Sequence, residues 1–190
     1  MAFSMSEQCA KAEPHEIAAI AYFVQHHKCK DVRKDPRFQG LGFDVLLMGK
    51  ADPWRRSVEF KYDERAAETN NLFIETWSDF NRCVVGWARS SLAQYLVDLV
   101  PTKKEGASFL PGHYRAYLLC MIQLSEHLAE YLRDPRLAEV PVPNIEKGRE
   151  WTTKGIPVPI SRLRHDGVIR RVFRLDCNAP GLFDESGIGT

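Results

Sequence analysis

The chain has 190 residues, 44% hydrophobic and 27% charged, enough apolar content to pack one domain and too much for a disordered chain. Lys and Arg number 26 against 25 Asp and Glu, a net charge of +1; this excludes a histone-like polycation and leaves anion binding to local patches. The first residues show no apolar leader, no apolar stretch is long enough to span a bilayer, and Cys9, Cys29, Cys83, Cys120 and Cys177 are scattered. The expectation is a single domain over 1–190, soluble and cytoplasmic, with reduced thiols and no membrane partner.

Residues 14–27 predict a first helix, with Pro14 suited to its first position and Ile17, Ile20, Phe23 and Val24 on one stripe. A charged connector follows over 28–42. The apolar run 43–48 (FDVLLM) predicts a strand, 49–56 a turn around Asp52-Pro53, and the alternating run 57–62 (SVEFKY) a second strand paired with the first as a hairpin. A polar link over 63–70 leads to a third strand at 71–77 and a short fourth segment at 83–87. Ser90 and Ser91 open a helical turn, and 95–100 (YLVDLV) reads as another strand. Beyond Pro101 the spacing of Tyr114, Tyr117, Leu118, Met121, Ile122, Ser125, Leu128 and Leu132 predicts one long amphipathic helix over 111–133. Its amphipathic surface would suit a homodimer or a partner interface. Residues 135–143 form a proline-bearing break, an arginine-rich tail carries Arg162, Arg164, Arg170, Arg171 and Arg174, and 181–190 look frayed. The sum is an α/β or α+β domain: a core over 14–100 and a helical, basic C-terminal extension over 101–180.

Chemistry concentrates on the hairpin. Side chains alternate across a strand, so Glu59 and Lys61 share a face while Val58 and Phe60 occupy the apolar one. Asp44 interrupts an apolar strand, where an acid has no packing reason to be, and hairpin pairing brings it near Glu59 at the open end. Two carboxylates there could share a hard divalent cation, Mg2+ or Mn2+, which needs few protein oxygens and leaves room for a phosphate. Lys61 would orient the attacking water or stabilise charge building on the phosphodiester. The plainer reading is an E-x-K pair decorating a solvated strand and an Asp binding a turn amide.

These residues resemble the PD-(D/E)XK nuclease superfamily, and within it a phage and prophage group. The matching stretches are Gly42-Phe43-Asp44, Glu59-Phe60-Lys61-Tyr62-Asp63, Thr69-Asn70-Asn71-Leu72-Phe73-Ile74-Glu75 and Gly86-Trp87, in order, over about half the chain. The resemblance implies a restriction-endonuclease-like core, a mixed central sheet flanked by helices, and metal-dependent cleavage of DNA in a bacterial or phage-infected cell. By carry-over Asp44 and Glu59 are metal ligands, the Phe60 carbonyl a third, and Lys61 the catalytic lysine. The chain departs from the pattern at Phe43, where the superfamily has proline, and at Gln94, where an acid often precedes the tyrosine. It departs also at Asn70, usually glycine; Asn tolerates left-handed backbone better than most residues, so the turn can survive.

Further candidates surround these. Superfamily members often bring an acid from the first helix to the metal, here Glu16 or Glu13; the alternative is a first-turn carboxylate facing the helix dipole. Glu75 could hold a second metal through water or end a network with Lys61. Thr69, Asn70 and Asn71 could bind a phosphate or merely close a turn. Lys28, Lys30, Arg33, Lys34 and Arg37 precede Asp44 and could grip a nucleic-acid backbone, although Asp31 and Asp35 interrupt them. His26, His27 and Cys29 lack a second ligand pair for zinc. The four tryptophans read as packing residues. The expected function is a magnesium-dependent DNA nuclease. The alternative is a non-catalytic DNA- or protein-binding module reusing the fold, in which Lys61 would pair with Glu75 and the acids would be capped or turned away.

Overall fold

A computed structural model describes residues 5–38, 40–48, 56–103, 109–146 and 149–178. Helix α1 (Met5–His26) is followed by strands β1 (Cys29–Asp31), β2 (Val45–Leu47) and β3 (Arg56–Tyr62), and the short helix α2 (Ala66–Thr69). Next come β4 (Asn71–Asp79), a 3-10 turn at Phe80–Arg82, β5 (Val84–Val85), the helical turn α3 (Trp87–Ser90), β6 (Tyr95–Lys103) and β7 (Phe109–Cys120). Helix α4 (Met121–Arg133), the hairpin β8 (Val140–Glu146) and β9 (Arg149–Pro159), the short α5 (Ile160–His165) and β10 (Ile169–Asp176) follow. No helix among the described residues is long and apolar enough to cross a membrane.

A mixed sheet ordered β1-β2-β3-β6-β7-β10 forms the central layer, and a second sheet is ordered β5-β4-β9-β8. The class is α+β. Within the central sheet only β3 and β6 run parallel; the other pairs are antiparallel. One face meets α1, where Ala19, Ile20 and Tyr22 pack on Val58, Phe60, Val97, Leu99 and Ala116. The other meets the second sheet and α4, where Leu72, Ile74, Ile156, Leu124 and Leu128 pack on Leu96, Tyr117 and Leu119. Cys29, Cys83, Cys120 and Cys177 are free thiols.

Against the sequence reading, the first helix begins earlier, so Pro14 lies inside it and not at its first position. The 28–42 connector contributes the edge strand β1. The hairpin of β2 with β3 forms as expected, while most of its 49–56 turn lies outside the described residues, as does 181–190. The helical turn ends at Ser90 instead of opening there.

The largest correction concerns 111–133. Its first half is strand β7, and only Met121–Arg133 is helical. Strand β7 lies between β6 and β10 with buried apolar residues on both faces, Tyr114 and Ala116 toward α1, Tyr117 and Leu119 toward the second sheet. A strand buried on both sides reads as a continuous apolar run and is indistinguishable from a helix by periodicity. The helical extension over 101–180 is therefore corrected as well: β7 and β10 belong to the central sheet, β8 and β9 to the second. Met121, Leu124, Leu128 and Tyr131 are buried within the chain, while Ile122 and Leu132 of the predicted stripe are exposed.

Candidate active site

Strand β3 is held on both sides, antiparallel to β2 and parallel to β6. The register pairing Val45 with Val58 continues one step beyond β2 and brings Asp44 beside Glu59. The Asp44 amide donates to the Val58 carbonyl at 2.9 Å, and its Oδ2 accepts from the Phe60 amide at 2.8 Å. Asp44 thus caps the point where β2 leaves the ladder, and its second oxygen stays available. A residue's N–H and C=O project to the same side of a strand, so the Phe60 carbonyl faces the Asp44 side.

Glu59 is buried, and its Oε1 receives the Lys61 ammonium at 2.8 Å. Its Oε2 is buried without a hydrogen-bond partner. The Lys61 side chain retains 37% exposure against 6% for Glu59, so the cluster opens to solvent through the lysine.

Glu16 reaches the cluster from α1. Burial raises its pKa and the Asp44 and Glu59 carboxylates add to the rise; Lys61 and a hydrogen bond from the Tyr62 amide oppose it. Its neighbour His15 stacks on Tyr62 with centroids 4.2 Å apart and bonds the Tyr114 hydroxyl at 2.6 Å, which sets the helix against β3. Glu13 is exposed. Burial likewise raises Asp44, with the Phe60 amide and Lys61 in opposition. Lys61 is pushed down by burial, but Glu59, Glu16 and Asp44 more than offset this and its pKa rises. The lysine is therefore a firmly held cation, suited to stabilising negative charge and to orienting water rather than to taking a proton.

Sequence reasoning overlooked Asp98. It sits beside Lys61 in the β3–β6 register, is 2% exposed, and its Oδ1 has no partner. Burial, then the Asp63 and Glu16 carboxylates, raise its pKa far above the carboxylate range. A signal exists in the sequence: an acid inside the apolar run YLVDLV is as anomalous as Asp44 inside FDVLLM. Asp63 plays a structural part, accepting the Ala66 amide at 2.9 Å and the Phe73 amide at 3.0 Å, so it starts α2 and fastens β3 to β4.

The remaining candidates divide. Glu75 lies on the outer face of β4, opposite to buried Leu72 and Ile74. Its Oε1 accepts from Ser78 Oγ at 2.5 Å and the Trp87 amide at 3.4 Å, so it braces α3 and is not brought to Lys61. Gly86 is required beside it, since a Cβ there would lie 2.5 Å from the Glu75 carbonyl oxygen. Asn70 ends α2 in the left-handed region at φ 56°, Thr69 Oγ1 donates to the Arg65 carbonyl, and the Asn71 amide donates to Thr69 Oγ1; these bonds close the turn. In the connector, Arg33 clasps Asp31 and Arg37 clasps Asp35, each at 2.7 Å, and Lys30 lies 3.5 Å from Asp35. Exposed Lys28 and Lys34 add positive charge. Of the five basic residues, Arg33 is the one whose charge is felt by both Asp44 and Glu16.

Among the described residues no three His, Cys, Asp or Glu side chains form a ready ligand group. The cluster offers a smaller set of oxygens, from Asp44, Glu59 and the Phe60 carbonyl. It fits a hard cation in one respect, an unpartnered buried Glu59 oxygen, since an orphaned buried carboxylate oxygen costs free energy until a cation or donor meets it. No family model matches the chain, and neither the curated proteins nor the solved structures contain a match.

Proposed function

We propose that the protein is a metal-dependent DNA nuclease of the restriction-endonuclease-like kind, with Mg2+ or Mn2+ as its cofactor. The observation that carries this reading is the meeting of Asp44, Glu59 and Lys61 at one solvent-facing point of a mixed sheet, with a Glu59 oxygen left unpartnered. Asp44, Glu59 and the Phe60 carbonyl would hold the cation. When bound, it would lower the pKa of a water and neutralise charge on the phosphodiester. Lys61, kept protonated by the surrounding acids, orients the water and faces the extra negative charge of the phosphorane. Arg33, its guanidinium held by Asp31, adds positive charge felt at Asp44, which favours an approaching phosphate. The binding-module alternative expects Lys61 on Glu75; its observed partner is Glu59.

The test is incubation of wild type and Lys61→Ala with supercoiled, linear and branched DNA in Mg2+, Mn2+ or chelator. Metal-dependent cutting by wild type that the variant loses supports the reading. No cutting of any substrate turns the assignment to a binding module, and equal cutting by both proteins removes Lys61 from the reaction.

A further inference from the structure

An arginine pair shares the sheet face that carries Lys61. The register runs from Lys61 to Asp98, Tyr117 and Val172 across β3, β6, β7 and β10. Two residues further on, it runs from Val100 to Arg115 and from Arg115 to Arg174. Residues two apart on a strand face the same way, so Arg115 and Arg174 lie on the Lys61 side, at an exposed margin separated from Lys61 by buried Asp98, Val100 and Tyr117.

Both arginines are exposed and neither makes an ion pair with a described residue. Arg33, Arg37, Arg136, Arg149 and Arg162 all close on carboxylates instead. The next acid along β10, Asp176, faces His113 at 3.4 Å. Like charges directly opposite destabilise a sheet, and among the described residues β10 is an edge strand with no strand beyond it. Two unpaired guanidinium forks in register fit an anion laid across them, with the bidentate geometry that phosphate oxygens accept.

We infer that Arg115 and Arg174 hold the DNA phosphate backbone on its way to the Lys61 cluster. This rests on the proposed nuclease reading and adds to it the path of the substrate. Strand spacing of about 4.8 Å and a rise of about 3.4 Å per residue put Arg115 about 12 Å and Arg174 about 16 Å from Lys61. At about 3.4 Å of duplex axis per base pair, the pair contacts the backbone about four to five base pairs from the bond attacked.

The experiment measures binding of the full chain to a fluorescent DNA duplex by anisotropy, in chelator, across a salt series. In Arg115→Gln/Arg174→Gln the slope of log affinity against log salt becomes shallower by about 1.8, two contacts at about 0.9 each, and affinity falls at least about tenfold. Arg136→Gln, whose partner is Asp134, leaves the slope unchanged. Because the pair is exposed, the double variant melts no lower than wild type, which separates lost contact from lost fold. An unchanged slope in the double variant overturns the inference, and so does a wild type that binds no DNA. Metal-dependent cutting of the same duplex is scored separately: a shallower slope without any cutting upholds the backbone contact and overturns only the nuclease reading.

Discussion

Lys61→Met tests the electrostatic logic of the cluster. The ammonium lies 2.8 Å from Glu59 and balances Glu16 and Asp44, both raised by burial first. Stripping one partner from a fully buried ion pair costs about 3–5 kcal/mol. Because the Lys61 side chain is 37% exposed, solvent screening reduces this to roughly 1–2 kcal/mol. For a chain of this size the loss lowers Tm by roughly 2–8 °C. Added Mg2+ recovers that loss, because a cation on Asp44 and Glu59 supplies the missing positive charge and binding to the folded state adds RT ln(1 + [L]/Kd). Turnover is not recovered and stays about 100-fold to 10,000-fold down, since nothing replaces the lysine opposite the phosphorane. The assays are thermal melts with and without Mg2+ and cleavage of plasmid DNA by the same samples. A variant Tm indifferent to Mg2+ would refute the idea that these acids form a cation site.

Asp98→Asn probes the buried acid on its own. Its folded pKa is raised above the unfolded one, so the folded state holds the proton more tightly and stability falls as pH climbs from the ordinary carboxylate range toward the folded value. The variant should match wild type near pH 4 and melt progressively higher by pH 8; a gap that does not change with pH would contradict the assignment. In Gly86→Ala the added Cβ meets the Glu75 carbonyl oxygen at 2.5 Å, and chemical denaturation should show a loss of about 1–3 kcal/mol. At Asn70, φ 56° disfavours a β-branched side chain, so Asn70→Val should cost about 1–2 kcal/mol while Asn70→Gly stays near wild type. Equal stability of those two variants in urea would show that the turn does not depend on its left-handed residue.

The local pieces of the site are legible in the sequence because each obeys a short-range rule. The alternation of SVEFKY sets Glu59 and Lys61 on one face, and the acid inside FDVLLM marks Asp44. Asn70 reads as a left-handed turn residue, which the α2 terminus bears out. What stays hidden is pairing between distant strands. Nothing near Glu75 says that its strand enters a second sheet with β9, more than seventy residues later, so its outward direction is not readable. The 111–133 run misleads for a related reason: β7 is apolar on both faces because the sheet continues on both sides of it, a property of the assembled fold and not of the segment.

Asp44 and Asp98 show how the two kinds of information combine. Each is a carboxylate within or directly beside an apolar strand, which burial disfavours, and each has its pKa raised by that burial. Neither makes sense as packing. Local preference and burial agree almost everywhere else in these strands, so the disagreement falls on the few positions surrounding Lys61. The sheet supplies the convergence: β3 stands between the strand that follows Asp44 and the strand that carries Asp98, so both anomalies face the same lysine although they lie far apart in sequence.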